Sequence, residues 1–273
     1  MRTKAPQGSY RSAASLTETV TQSRCALRAQ PRYHGYKAGK RRVPSTRRGA
    51  DGLRWHCLDR IAAQRYDDQP EVTRQIEMAR AVHASGVPCF GSCWGQQIMC
   101  QALGGEVRAN PKGIEIGIAR DITLTDAGKA HPMFEPKASP FDALCIHRDE
   151  VTALPPGATV LASNRMSDIQ AIELSGEHGN LWAVQYHPEF DFHLMALLFR
   201  RDQRVLVEQE ICKSPDDVKG LVTDFAQLHE DSENDEIADR LKAGRDVRDP
   251  AMRMAELGNW LRYKVLPHAA ART

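Results

Sequence analysis

The chain has 273 residues, 41% of them hydrophobic, and a formal net charge of only +2, so as a whole it is neither a basic nucleic-acid sink nor an acidic solvating chain. Seven cysteines, an odd number with no CxxC spacing, argue against a disulfide framework or a structural zinc site and for a reducing, cytoplasmic setting. No apolar run approaches the ~20 residues needed to cross a bilayer, so no membrane partner is expected.

The average charge hides an asymmetry. Residues 1–63 hold fourteen basic and three acidic residues, which leaves 23 basic against 32 acidic in the remainder. This first segment lacks sustained periodicity and has too few apolar residues for a core, so it reads as a basic arm, disordered or aberrant. Its Arg- and Ser-rich composition is also that of an organelle transit peptide. No aromatic interleaving accompanies the charge, and nucleic acid is not the expected partner.

From Tyr66 the texture changes. "DDQPEVTRQIEMARAVHASG" predicts a helix with Pro70 in its first turn and Gly86 beyond its end. Val72, Ile76, Ala79 and either Val82 or His83 would form its packing face. "VPCFG" follows as a short strand with no polar face, as expected inside a parallel sheet. "WGQQIMCQALGG" is a helix closed by Gly104 and Gly105. Further strands are expected in "IEIGIARDITL", "DALCIH", "TVLAS", "IQAIEL" and "LWAVQY". The order predicts an α/β sheet with an antiparallel part. After Pro188 the pattern is helical, with Phe225, Leu228, Leu257, Trp260 and Leu261 as the packing side of a C-terminal extension.

Cys93 sits between the short strand and its helix, with Gly91 two residues before it and Gly95 two after. Two glycines without Cβ would relieve the crowding of a sharp strand-to-helix turn. The turn residue then stands at a helix N-terminus, where the dipole favours a thiolate and the N–H of Trp94 could hold an oxyanion. A buried core cysteine is the alternative reading of this stretch. "AVQYHPEF" places His187 after an apolar strand and Glu189 two residues on, so both could leave on one side, with the carboxylate orienting the imidazole. Taken alone, that pair reads as a surface turn. Together, nucleophile, base and carboxylate make a triad. His83, His131, His178 and His193 lack partners and are expected at the surface; Cys89, Cys100 and Cys145 are expected in the core.

"GSCWGQQ" and "YHPE" resemble the two signatures of class I (triad-type) glutamine amidotransferases, approximately G-x-C-x-G-x-Q and H-P-E. "LGGEV", "GIEIGIARDITLT" and "CIHRDEVTALPPGATVLASN" are similar to the GMP-synthase-like branch, and the resemblance spans roughly Tyr66 to Phe199. It implies a three-layer, flavodoxin-like α/β domain over 64–200, followed by a helical extension over 201–273. It implies that Cys93 attacks the glutamine carboxamide to form a γ-glutamyl thioester, that His187 shuttles protons and that Glu189 holds it. Gln97 and His147 would lie at the substrate pocket. Neither metal nor cofactor is implied. The chain carries no SGGxDS or Walker A motif, so ammonia would be used by a separate synthetase or released. The same triad also suits a γ-glutamyl peptide hydrolase, or a non-catalytic binding module.

The pattern breaks ahead of Tyr66. Where the family has apolar strands and a Gly loop supplying a second oxyanion N–H, this chain has "ADGLRWHCLDRIAAQRYDD". Residues 1 to about 64 are therefore expected to come from a shifted reading frame or a misassigned start, leaving two sheet strands and half the oxyanion hole missing.

Overall fold

The computed structural model describes residues 70–176 and 180–272. Every described residue lies in one compact unit, within Ala62–Thr273. The expectations for residues 1–63, including the missing strands and second oxyanion donor, lie outside the described residues, as does His178.

Helix α1 (Pro70–Ala84) buries Val72 and Ala79 and half-buries Ile76. Val82 is exposed and His83 half-buried, so the packing face continues through the histidine. Gly86 then adopts φ 69°, the left-handed conformation that ends such helices cheaply. Strand β1 (Cys89–Ser92) leads through Cys93 into α2 (Trp94–Ala102), which buries Ile98, Met99, Cys100 and Ala102.

The remaining strands are β2 (Glu106–Ala109), β3 (Glu115–Leu124), β4 (Phe141–His147), β5 (Asp149–Ala153), β6 (Ala158–Ser163), β7 (Ala171–Ser175) and β8 (Asn180–Val184), with a short helix, α3 (Asp126–Lys129), after β3. Six of them form one mixed sheet in the order β1-β8-β7-β6-β3-β4. Only β1 and β8 run parallel, pairing Cys89 with Leu181 and Ser92 with Val184. The strand read as interior to a parallel sheet therefore pairs on one side only, among the described residues. β3 serves two neighbours: its first part pairs with β4, a bulge follows with Asp121 at φ 53°, and Thr123 and Leu124 pair with β6. β2 and β5 make a separate two-stranded ladder that the sequence pattern did not reveal.

Alternation along β8 splits the core between two faces, because successive side chains leave a strand on opposite sides. Leu181 and Ala183 join Val72, Ile98 and Met99 beneath α1 and α2. Trp182 and Val184 join Phe134, Phe141 and Tyr186 on the other face. This is a three-layer α/β fold.

Among the described residues, nine further segments follow β8 and pack as helices. α4 (Phe192–Arg201), capped by Asp191, lies against α6 (Pro215–Glu230), capped by Ser214; α5 (Gln203–Glu208) connects them. The ring of Phe225 meets Phe192 and Phe199 edge-on, at centroid separations of 5.6 and 4.9 Å. Burying such a ring contributes about 1.5–3 kcal/mol. Beyond α7 (Asp235–Leu241), α8 (Arg245–Arg248) and α9 (Pro250–Arg253), helix α10 (Ala255–Trp260) returns to the sheet and continues as a π-turn (Leu261–Val265) into α11 (Leu266–Ala270).

Here the expected packing side is corrected in part. Phe225 and Leu228 are buried, and Trp260, half-buried, packs against the core with its ring 6.0 Å from that of Phe90. Leu257 and Leu261 are only half-buried, while Glu256 and Asn259 face inward. Asn259 donates to the carbonyls of Met133 and Glu135. The Glu256 carboxylate meets the Lys137 ammonium at 2.7 Å and accepts from the Tyr186 hydroxyl at 2.7 Å. Apolar periodicity cannot reveal a face whose buried members pair with an ammonium and with carbonyls more than a hundred residues away.

Candidate active site

Cys93 has φ 48° and ψ −104°, a conformation that L residues avoid and that persists only where its surroundings enforce it. Three features enforce it. The Cys93 N–H donates to Val184 O at 2.8 Å, its carbonyl accepts from Gln97 N at 3.1 Å, and Gly91 leaves room beneath the turn. A Cβ on Gly91 would stand 2.7 Å from the Gly95 carbonyl carbon and 2.9 Å from Gln96 N, closer than real contacts allow. Gly95 differs from expectation: a Cβ there would meet nothing within 4 Å, so it relieves no crowding in the elbow.

The strand's end, the elbow and the start of α2 bring Cys93 beside the turn that follows β8. His187 is held there by its backbone, whose N–H donates to Leu144 O at 2.8 Å, and by Phe190, which stacks on its ring at 3.8 Å and 9°. Its Nδ1 donates to Glu189 Oε1 at 2.7 Å. Cys93 lies close enough for its charge to act on the imidazole. In its neutral form the Cys93 thiol donates to Ile146 O at 3.4 Å. The structure thus brings Cys93, His187 and Glu189 together, from segments nearly a hundred residues apart.

Electrostatics favour an imidazolium. Burial alone would lower the His187 pKa, but the facing Glu189 carboxylate, the negative charge on Cys93 and hydrogen bonds to both raise it to about 10. For Glu189, partial loss of water raises the pKa; the charge and hydrogen bond of His187, its own backbone N–H and Ser92 outweigh that and leave it lowered. Such surroundings hold a proton on His187 at neutral pH.

A glutamine amidotransferase class-I family model matches residues 66–201. The chain is 37% identical over 207 residues to a γ-glutamyl-L-1-hydroxyisopropylamide hydrolase of a Pseudomonas species, covering 75% of this chain and 70% of that protein. The chain belongs to the class I glutamine amidotransferase family. It is also 34% identical over 132 residues to a glutamine-hydrolysing GMP synthase of Bartonella bacilliformis, covering 48% of this chain and 23% of that protein. The chain therefore spans less than a quarter of that synthase. A glutamine amidotransferase structure from Thermotoga maritima shares the fold, with a TM-score of 0.54 and 18% identity over 74% of each chain.

In this class I amidotransferase-family hydrolase, the two residues expected at the substrate pocket turn their side chains inward. Gln97 is buried, and its Nε2 donates to Asp149 O at 3.1 Å and to Gln185 Oε1 at 3.2 Å. His147 faces Glu115 Oε2 at 2.7 Å through Nε2 and Asp149 O at 3.0 Å through Nδ1. Burial works to raise the Glu115 carboxyl, but His147, Asn164 and Gln170 outweigh it and hold it below the usual range. Both expected pocket residues thus brace the start of β5 at the Asp149 carbonyl, since buried polar groups must be paired within the protein. Trp94, the expected oxyanion donor, is the first residue of α2, and its indole N–H donates to Gln75 Oε1 at 2.6 Å.

Other expectations divide similarly. Cys100 and Cys145 are fully buried and Cys89 half-buried. His131, expected free at the surface, is half-buried, with Nδ1 accepting from Met133 N and Nε2 3.1 Å from Glu173. Its partner lies 42 positions along the chain on β7, beyond any local pattern. His193 is exposed and lies against His229, with ring centroids 5.3 Å apart. Among the described residues, no helix is long and apolar enough to cross a membrane.

Proposed function

We propose that this chain hydrolyses γ-glutamyl amides, the amine side of the bond being larger than ammonia. The observation that carries the reading is the Cys93–His187–Glu189 constellation in a chain 37% identical, over most of both lengths, to a γ-glutamyl amide hydrolase. Cys93 attacks the γ-carbonyl carbon, forming a C–S bond while the carbonyl electrons move to oxygen. The Trp94 backbone N–H, at the positive end of α2, stabilises that oxyanion. His187 gives its proton to the departing nitrogen as the C–N bond breaks, leaving a γ-glutamyl thioester. Neutral His187 then takes a proton from water, which attacks the thioester; glutamate leaves and the proton returns to the Cys93–His187 pair. Glu189 keeps the ring oriented and its charged form stable throughout.

A second reading follows from the matched synthase: the substrate is glutamine, and the ammonia passes to a separate synthetase. Steady-state kinetics with glutamine, γ-glutamyl alkylamides and γ-glutamyl dipeptides separate the two. A kcat/KM for γ-glutamyl alkylamides well above that for glutamine is the expected outcome. A reversed preference establishes the glutaminase reading, and loss of neither activity in Cys93→Ala removes both.

A further inference from the structure

We propose that Ser92 is a positioning residue of the triad, fixing the Glu189 carboxylate, and through it the charge facing His187, to the strand that carries the nucleophile. The reaction it serves is the one assigned above. Ser92 is the last residue of β1 and donates from Oγ to Glu189 Oε1 at 2.8 Å. The same carboxylate oxygen accepts from His187 Nδ1 at 2.7 Å. One oxygen therefore receives two donors, from chain segments 97 positions apart.

The sheet explains the meeting. β1 and β8 pair in parallel with Ser92 opposite Val184, so the end of β1 and the turn after β8 leave the same edge of the sheet. Ser92 emerges there facing His187–Glu189, immediately before the elbow. The hydroxyl thereby ties the nucleophile's strand to the base's turn by a side-chain bond.

The other anchors of the triad do not make this bond redundant. The His187 ring is fixed by the Phe190 stack and by its backbone N–H to Leu144 O. Glu189 has less support: 38% of its side chain is exposed, and its holders are His187, its own backbone N–H and Ser92. Without Ser92, water can take the second donor's place and the carboxylate can rotate away from Nδ1. Ser92 thus acts on the alignment of charge within the triad, not on substrate binding or on the ring's position.

Ser92→Ala and Ser92→Thr in the full chain test this assignment. Ser92→Ala is expected to lower kcat about tenfold, the scale of losing one hydrogen bond to a charged group, with KM unchanged. Because Ser92 helps hold the Glu189 pKa down, its loss lets the carboxylate protonate at higher pH. The acid limb of the kcat/KM profile should therefore move to higher pH, and Ser92→Thr, which keeps a hydroxyl, should restore both values. The pH dependence of Cys93 alkylation by iodoacetamide, with Cys93→Ala as the blank, should show the same displacement without any turnover. Wild-type kcat and an unmoved alkylation profile in Ser92→Ala overturn the assignment and leave the hydrolase reading standing. A displaced alkylation profile in a chain that hydrolyses no γ-glutamyl amide supports Ser92 and defeats the hydrolase reading. Equal losses in the Ala and Thr variants, with lowered melting temperatures, reduce the bond to a structural contact and overturn the assignment.

Discussion

At His187, opposing forces are nearly all local and named: burial disfavours its charge, while Glu189 and Cys93 restore it. Cys93→Ala should abolish hydrolysis and leave the fold intact, as circular dichroism would show. His187→Asn should lower kcat by about 10² or more, the scale of a lost general acid–base group. Glu189→Gln should cost less, because the ring retains its stack on Phe190 and its backbone anchor. A larger loss in Glu189→Gln would reverse the assigned roles. The same shift makes a stability prediction. His187 has a raised pKa, so its contribution is complete below about 6.5 and is lost as pH rises through about 10. Glu189 has a lowered pKa, so its contribution is present above the ordinary carboxylate range and is lost on acidification. The melting-temperature difference between wild type and His187→Asn should therefore shrink steadily from neutral pH towards pH 10. A constant difference would show that His187 is uncharged in the resting protein.

Among the elements, the strand–elbow–helix unit invites a paired test. Gly91→Ala drives a Cβ into the backbone of Gly95 and Gln96, which cannot yield as a flexible side chain could. It should cost about 1–3 kcal/mol in denaturant unfolding and lower kcat by moving the elbow. Gly95→Ala meets open space inside α2 and should be neutral or stabilising by up to ~1 kcal/mol. The sequence pattern made these two glycines look equivalent, because spacing reports chain position and not the distance to neighbouring backbone. Much else at this scale was legible. β8 carries an apolar run that matches its burial, as do Ile98, Met99 and Cys100 of α2, and "GSCWG" with "HPE" marked the residues that the fold gathers at the elbow. β2 and β5 were not legible: Glu106, Arg108, Asp149 and Glu150 interrupt their apolar pattern, and their pairing spans about forty residues. Ser92 was hidden for a related reason. A serine ending a strand acquires meaning only once β1 and β8 are known to be parallel neighbours. Gln97 and His147 were found as residues near the site, but the direction of their side chains depends on Asp149, Glu115 and Gln185, which no short motif contains.

For the molecule as a whole, the C-terminal helices are part of the core through a buried charge. Lys137 and Glu256 expose 1% and 0% of their side chains, and the ammonium also sits 4.6 Å from the Phe141 ring centroid. Removing one member strands the other in a medium that solvates it poorly. Lys137→Met alone should cost about 3–5 kcal/mol in denaturant unfolding, and Lys137→Met with Glu256→Leu should recover most of that loss. If the double variant were as unstable as the single one, the Tyr186 and Asn259 contacts, not the ion pair, would be what holds α10. The parallel pairing of β1 with β8 has a further consequence, in the order of events as the chain folds. β7 and β8 are antiparallel and close in sequence, whereas β1 must cross some ninety residues of chain to reach β8. Closing so long a loop is entropically the slower act, and every member of the triad waits on it. A chain diluted from denaturant should protect its β7 and β8 amides from hydrogen exchange well before Cys93 recovers its reactivity, and catalytic competence should be among the last properties to return.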